Sequence, residues 1–397
     1  MSGDSTIGGR LRRLRQERAL TQEGLAGLAG VSVDLIAKLE QGRRSSARVT
    51  SLMKLSNALD VDLSALVGKR DRIGADRDGG SVLAVRDALL SPSLLSDMPG
   101  PDEGDTGEPT PLPELEAAVS VAWDRYWSGE FGALAAAVPG LIGEARVTQR
   151  SLGSAAASAL AQAYQLAACL LVHLGREDLA AIGAERGIHA AAEGDDEWQW
   201  ATVQGTYAWV LLHQARLEES ERLAIKVAER IEPSFSAPAR HVAAWGNMLM
   251  TALAPAVAAG KDPSEYISMA SAGAERIGRR TDAYQTAFGP ATVRMQAVHA
   301  YATLKEPGKA LKEAAKVRTG ELRGISHGRH LLDVAQAHTD ARQHRAAVMR
   351  LQEARDGAPV WFRHQGIARS LVRDIREAET RLSPTIRSLA RSVGLDD

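Results

Sequence analysis

An all-α chain is what these 397 residues predict, on three observations. Apolar residues recur every three or four positions, the period of one helix face, and no segment beyond residue 113 shows the alternation of a strand. The recurrences break at glycine, proline or short charged stretches. The breaks also change rhythm: they fall close together in the first 66 residues, and then, after an interval rich in Pro and Gly, about 35 to 45 residues apart, the range of stacked helix-pair repeats. A chain of this length exceeds what one hydrophobic core supports, so at least two units are expected. We divide it into residues 1–70, a linker 71–113 and a helical body 114–397.

Composition is that of a globular protein, 45% hydrophobic and 24% charged with a net charge of -1. The balance hides an asymmetry. Residues 1–70 carry 12 Lys and Arg against 7 Asp and Glu, residues 71–113 carry 3 against 9, and the rest is even at 33 against 33. A basic head on a neutral body suits a phosphate-facing module.

In the head, Ile7, Leu11 and Leu14 define a first helix, Leu25 and Leu28 a second, Ile36 and Leu39 a third, Leu52, Leu55 and Leu59 a fourth, and Leu63 and Leu66 a fifth. Thr21, Ser32 and Asp62 stand where N-caps belong, and Gly30 and Gly42 stand just past helix ends, where a left-handed residue costs glycine least. Gly24 and Gly27 lie inside the second helix, each costing about 1 kcal/mol relative to alanine.

The segment Leu20–Gly42, LTQEGLAGLAGVSVDLIAKLEQG, carries an ordered pattern: Gln22, Leu25-Ala26, Ala29-Gly30-Val31-Ser32, Ile36, Glu40 and Gly42. It continues through Val49, Leu52, Leu55, Ala58, Leu59-Asp60-Val61, Leu63 and Leu66. This pattern resembles the Cro and phage-repressor helix-turn-helix family, the XRE type, over the whole head. The resemblance implies a five-helix, lambda-repressor-like DNA-binding domain whose third helix lies in the major groove of an operator and presents its N-terminal residues to base edges. Ser32, Val33, Asp34, Ala37 and Lys38 then occupy the base-reading end and exposed face of that helix. Lys38 suits guanine, Asp34 suits the cytosine amino group, and Val33 and Ala37 suit a thymine methyl. Gln22 matches the family's phosphate-contacting glutamine, and Arg43 and Arg44, just past the third helix, are placed for further phosphates. Arg15 and Glu40 match the pair that ties the first helix to the third.

From Asp71 to Pro113 prolines, glycines and acids prevent long helices, and we expect an acidic tether with one short helix at 81–90 (SVLAVRDALL) that can dock on a neighbour or join a dimer contact. From Glu114 onward two-helix units are expected near 155–192, 197–231, 237–279, 282–318, 327–357 and 361–394, with breaks at Gly175, Ala215-Arg216, Gly260, Glu306-Pro307 and Gln343. Trp200, Tyr207 and Pro233 echo the tetratricopeptide pattern, so the expected body is a TPR-like helical-repeat sensor and dimerisation domain, a degenerate solenoid rather than a bundle. Phe288-Gly289-Pro290, Gly328–Ala337 and Pro359–His364 resemble the C-terminal region of actinobacterial regulators that join this helix-turn-helix to such a domain; the similarity to peptide-sensing regulators is one of layout. Solenoids bind along a concave face, and Trp200, Gln204, Tyr207, Trp245 and Asn247 are the candidate ligand groove.

Several function classes find no support. Gly273–Gly278 lacks the Lys-Ser/Thr ending of a phosphate loop, and His327 and His330 have no HExxH or cysteine context, so no metal or cofactor is expected. Cys169 sits in an apolar stretch and reads as core. With no nucleophile elbow, the chain is not expected to be an enzyme, and with no uncharged apolar run of 18 residues it is expected to be cytoplasmic. The expected function is a homodimeric transcriptional regulator binding double-stranded DNA, with a peptide, small molecule or protein as effector. The alternative is an antitoxin-like or scaffold protein whose body is a constitutive interaction surface.

Overall fold

The computed structural model describes residues 6–44, 47, 49–61, 66, 82–90, 108–379 and 383–395. The head begins with α1 (Ile7–Glu17), α2 (Gln22–Ala29), α3 (Val33–Glu40) and α4 (Val49–Ala58). Thr6, Thr21 and Ser32 cap the first three through side-chain oxygens, each accepting from the backbone N–H three residues on. Gly30 closes α2 at φ 58°. Leu11, Leu25, Ile36, Leu39, Leu55, Leu59 and Leu66 meet in one core. The expected fifth helix and its cap Asp62 lie outside the described residues, except for buried Leu66, whose carbonyl accepts from Arg10 Nε at 2.8 Å. At Gly8 the backbones of α1 and α3 touch: a Cβ there would fall 1.8 Å from the Leu39 carbonyl oxygen.

A short helix, α5 (Val82–Leu89), stands alone between head and body. The rest of the expected tether, 71–81 and 91–107, lies outside the described residues. The body starts at Leu112, inside the expected linker, with α6 (Leu112–Ser128) and α7 (Phe131–Leu152), a hairpin the sequence rhythm did not separate. Antiparallel pairs follow: α8 (Ala157–His173) with α9 (Glu177–Ala192), α10 (Glu197–His213) with α11 (Leu217–Arg230), α12 (Ala239–Ala258) with α13 (Ser264–Ile277), α14 (Pro290–Thr303) with α15 (Pro307–Ala314), and α16 (Gly324–Asp340) with α17 (His344–Gly357). Three short helices end the chain: α18 (Pro359–Arg363), α19 (Gly366–Ala378) and α20 (Pro384–Ser392). The five hairpin turns share one device, a left-handed residue at Gly175, Ala215, Gly260, Lys305 and Arg342. Two are glycines; the others accept strain to reverse the chain.

The first helices of successive pairs, α8, α10, α12, α14 and α16, pack side by side as one layer, with α9, α11, α13, α15 and α17 outside them. The inner side of that layer is not an open groove. The end of α6 lies across it: Tyr126 meets His173 and Phe131, and His173 meets Trp209, at ring separations of 5.0 to 6.1 Å. The α6 end also reaches the last pair. Arg323 binds Asp124 at 2.8 Å and lies over the Trp127 ring at 5.0 Å, and Gly324 sits so close to the Trp127 carbonyl that a Cβ would fall 2.1 Å from it. One core therefore holds both Trp123, Phe131 and Leu170 and, from the far end, Leu332, Trp361 and Leu371. The expected solenoid is thus corrected in one respect: its ends are joined. The apolar stretch Phe131–His173 meets the length and composition of a membrane span, with 83% of its most apolar window buried inside the body.

Candidate nucleic-acid interface

α3 is held by its own chemistry from three sides. Ile36 and Leu39 are buried, which turns Val33, Asp34 and Lys38 to solvent and leaves Ala37 half-buried. Ser32 Oγ accepts from Leu35 N at 3.2 Å and fixes the first turn. Asp34 and Lys38 pair with each other, Oδ2 to Nζ at 2.8 Å, with both side chains at least half exposed. Such a surface pair opens at small cost, so both groups stay available to a ligand. Val33 is 38% exposed, and Leu28 on α2, 65% exposed, is the other large apolar side chain left uncovered among the described residues of the head.

Behind this face lies a polar lock. Arg15 grips Glu40 in bidentate fashion, Nε to Oε1 at 2.7 Å and Nη2 to Oε2 at 2.8 Å, while Nη1 donates to the Leu20 carbonyl at 2.8 Å. Burial alone would raise the Glu40 pKa, but hydrogen bonds from Arg15 and Gln22 bring it below the usual carboxylate range. The hydrogen bond to Glu40 raises that of Arg15. Gln22 stands at the start of α2 as expected, yet its amide nitrogen donates to Glu40 Oε2 at 2.8 Å. Its described contact is with the lock, and the side chain is half-buried.

Arg43 and Arg44 are exposed just past α3, after Gly42 at φ 70°. A cleft of about 310 Å³ opens beside them, lined by Gly30, Val31, Ser32, Leu35, Arg44, Ser51 and Lys54. Its cations come from two elements, the turn after α3 and the exposed side of α4, next to the positive end of α3. Ser51 and Lys54 escaped the sequence reading. Their i, i+3 spacing on the side of α4 away from Leu52 and Leu55 is the signal that marks them.

The five candidate groove residues of the body are not brought together. Trp200 on α10 packs toward α11, with the Arg230 guanidinium 4.6 Å over its ring, beside a cleft of about 230 Å³ whose acids are Asp195, Asp196 and Glu197. Gln204 and Tyr207 follow on the same helix face, one and two turns along. Trp245 on α12 faces its own pair partner, against Gly273 of α13. Asn247 faces α10 at Gly205. All five are half-buried.

The inner wall is filled by other residues. Between α13 and α14, Tyr284, Gln285 and Ala287 are all left-handed, with φ of 53°, 60° and 48°. The Tyr284 hydroxyl donates to the Asp196 carboxylate at 2.8 Å, Gln285 Oε1 accepts from Trp127 Nε1 at 3.1 Å and from Arg323 at 3.2 Å, and Phe288 presses on Gly246, where a Cβ would fall 2.1 Å from the ring. Strain of this kind persists where surroundings over-determine it, and it gathers at ligand clamps and switches. Nearby, Asp333 of α16 is buried and accepts from His299 Nδ1 at 3.1 Å and Arg329 Nε at 3.2 Å. Burial would raise its pKa, but the Arg329 charge and the hydrogen bonds from His299 and Arg329 hold it down to about 2. The Cys169 thiol is buried and pushed up to about 12 by that burial. Among the described residues no group of three or more His, Cys, Asp or Glu is placed to hold a metal ion.

Residues 6–66 match a helix-turn-helix domain family. The HTH-type transcriptional repressor RghR of Bacillus subtilis (strain 168) is 38% identical over 93 residues, 23% of this chain and 69% of the relative. An HTH-type transcriptional regulator of Sinorhizobium fredii (strain NBRC 101917 / NGR234), y4dJ, is 38% identical over 65 residues, 16% of this chain and 83% of the relative. Among solved structures, PlcR of Bacillus thuringiensis, in complex with the peptide PapR7 and DNA, is 14% identical with a TM-score of 0.30, covering 68% of this chain and 95% of that one.

Proposed function

Since this chain belongs to the helix-turn-helix transcriptional regulators of the XRE type, we propose that it reads a specific operator with α3 and that its helical body adjusts operator affinity in response to an effector. The observation that carries the first part is the exposed face of α3 next to a cluster of cations, Lys38, Arg43, Arg44 and Lys54. Val33, Asp34, Ala37 and Lys38 read base edges, Ser32 starts the helix at the groove, and Arg43, Arg44, Lys54 and Gln22 hold phosphates. The protein works in the cytoplasm as a homodimer on an inverted repeat, with half-site centres about 10 bp or a multiple apart.

The second part rests on the strained segment Tyr284–Ala287, braced by α6, α10, α12 and α16. A segment that joins four helices under strain can have two arrangements, and an effector that favours one of them shifts the other out of population.

The test compares two substitutions on operator and random DNA. Lys38→Ala is expected to weaken operator binding about 5- to 150-fold and to relax choice at one base pair, corresponding to about 1–3 kcal/mol. Arg43→Ala is expected to weaken both DNAs alike and to lower the salt slope by about one. Equal loss of specificity from both would remove the assignment of roles. An effector is expected to raise the melting temperature of the body by mass action.

A further inference from the structure

We propose that the groove between α7 and α9 is the docking site for α5, so that the head hangs from the body by residues 67–81 and not by the acidic stretch 91–107. Within residues 67–107 the described part is 82–90, which turns Val85 and Leu89 to the body and leaves Leu83 and Leu90 exposed. Val85 and Leu89 are buried to 1% and 0% exposure in the same core as Leu115 and Leu170, with Val82 and Ala88 packed against it. The groove is shaped for them: Leu89 Cδ1 lies 3.5 Å from where a Cβ at Gly183 of α9 would stand.

The latch has a polar end as well. Arg146 of α7, 5% exposed, donates through Nη2 to the carbonyl of Ala88 at the last turn of α5. Its Nε donates to the Tyr164 hydroxyl at 2.8 Å, and its guanidinium lies 5.6 Å over the Tyr164 ring. A buried cation at the negative end of a helix satisfies a terminal carbonyl that the helix cannot satisfy itself. Eight residues are too few to hold a helix in water, so α5 is helical because it is docked, and release and unfolding are one event.

Geometry then fixes what docking does. With α5 seated, the chain from Leu66 to Val82 spans at most about 50 Å, whereas with α5 released the head is tied at residue 108 by a chain spanning up to about 140 Å. In the seated state Leu90 and Glu108, the described residues that flank the acidic stretch, both belong to segments packed on the body. Whatever alters the spacing of α7 and α9 changes the reach of the head almost threefold.

Spin labels on cysteines introduced at Glu17 in α1 and His189 in α9 of the full chain measure this without DNA; native Cys169, buried in the core, stays unlabelled. Leu89→Asp is expected to broaden the distance distribution and extend it to longer values, with the melting of the body unchanged. Deleting residues 73–78 is expected to shift the native distribution shorter, whereas deleting 98–103 leaves it as it was. In the Leu89→Asp background the second deletion is expected to shorten it too. The proposal is overturned if Leu89→Asp leaves the distribution unaltered, or if deleting 98–103 shortens it in the otherwise native chain. The two deletions touch neither the described head nor the described body, so they decide the matter even where Leu89→Asp lowers the melting of the body.

Discussion

The exposed face of α3 and the inner face of the helical body are both rimmed with arginines and carry aromatic or apolar side chains, but they are finished differently. On α3, Asp34 and Lys38 pair with each other at the surface, and Val33 is exposed. On the inner face of the body three polar pairs are engaged across long sequence distances: Trp127 with Gln285, Tyr284 with Asp196, Arg323 with Asp124. The first surface is left for a partner; the second has supplied its own. The head is therefore built to bind and the body to hold a shape.

The strongest way to break this contrast is to remove the lock behind α3. Arg15 and Glu40 have side chains only 12% and 4% exposed, and deleting one partner of a buried pair strands the other's charge. Arg15→Ala is expected to cost the head about 3–5 kcal/mol. In calorimetry the head transition and operator binding should disappear at ambient temperature while the body transition stays. If the body melts with the head, the two are not independent.

A complementary lesion spares the head. Gly246→Ala puts a methyl into the Phe288 ring, an overpacking expected to cost the body about 1–3 kcal/mol. Operator affinity should be retained with the operator in excess, and loss of effector response without loss of binding would sharpen the division.

Acid titration separates the regions again. The Asp333 carboxylate is held at about 2, against an ordinary value near 4 in the unfolded chain. A depressed carboxylate stabilises the fold above the unfolded value and loses that contribution as pH falls through the folded one. Asp333 should thus contribute about 2 kcal/mol at neutral pH, vanishing between about pH 4 and pH 2. Asp333→Asn should lower body stability at pH 7 and flatten the acid limb. His330 works in the same direction: burial lowers its pKa, so the body should begin to weaken as pH drops below about 6.5.

The smallest expected effect is also the most discriminating. The Asp34–Lys38 pair is an exposed i, i+4 contact worth about 0.5 kcal/mol or less. Lys38→Ala should scarcely move the melting of the head while it weakens the operator complex. A large loss of stability would mean that Lys38 holds the fold, and the contrast would lose its clearest member.

Legibility in the sequence follows the same division. Caps at Thr21 and Ser32 and the apolar spacing of Ile36 and Leu39 are local signals, and they place the elements of the head. The partner of Gln22, by contrast, is 18 residues away and needs the fold to bring it near. In the body, helix pairs and their turns are readable because a left-handed break must interrupt each apolar run. Facing is not. α10 buries Gln199, Ala201, Thr202, Val203, Thr206, Ala208 and Val210, covering nearly every side, so periodicity cannot tell the side toward α11 from the inner side. The contacts of Trp200 with Arg230 of α11 and of Trp245 with Gly273 of α13 need the fold to assign them. α5 shows the reverse case, a weak apolar pattern within a Pro- and Gly-rich interval whose docking depends on a glycine and an arginine far along the chain.

The shared core of the first and last helices also sets a clock. Asp124 and Arg323 stand 199 positions apart, so at about 5–20 residues per second the ribosome releases the partner of α6 some 10 to 40 s after α6 itself. An open repeat array can fold unit by unit as it emerges. Here Trp127 lacks its partners Gln285 and Arg323 until that late stretch emerges, and the nascent chain carries this uncovered end of α6 meanwhile.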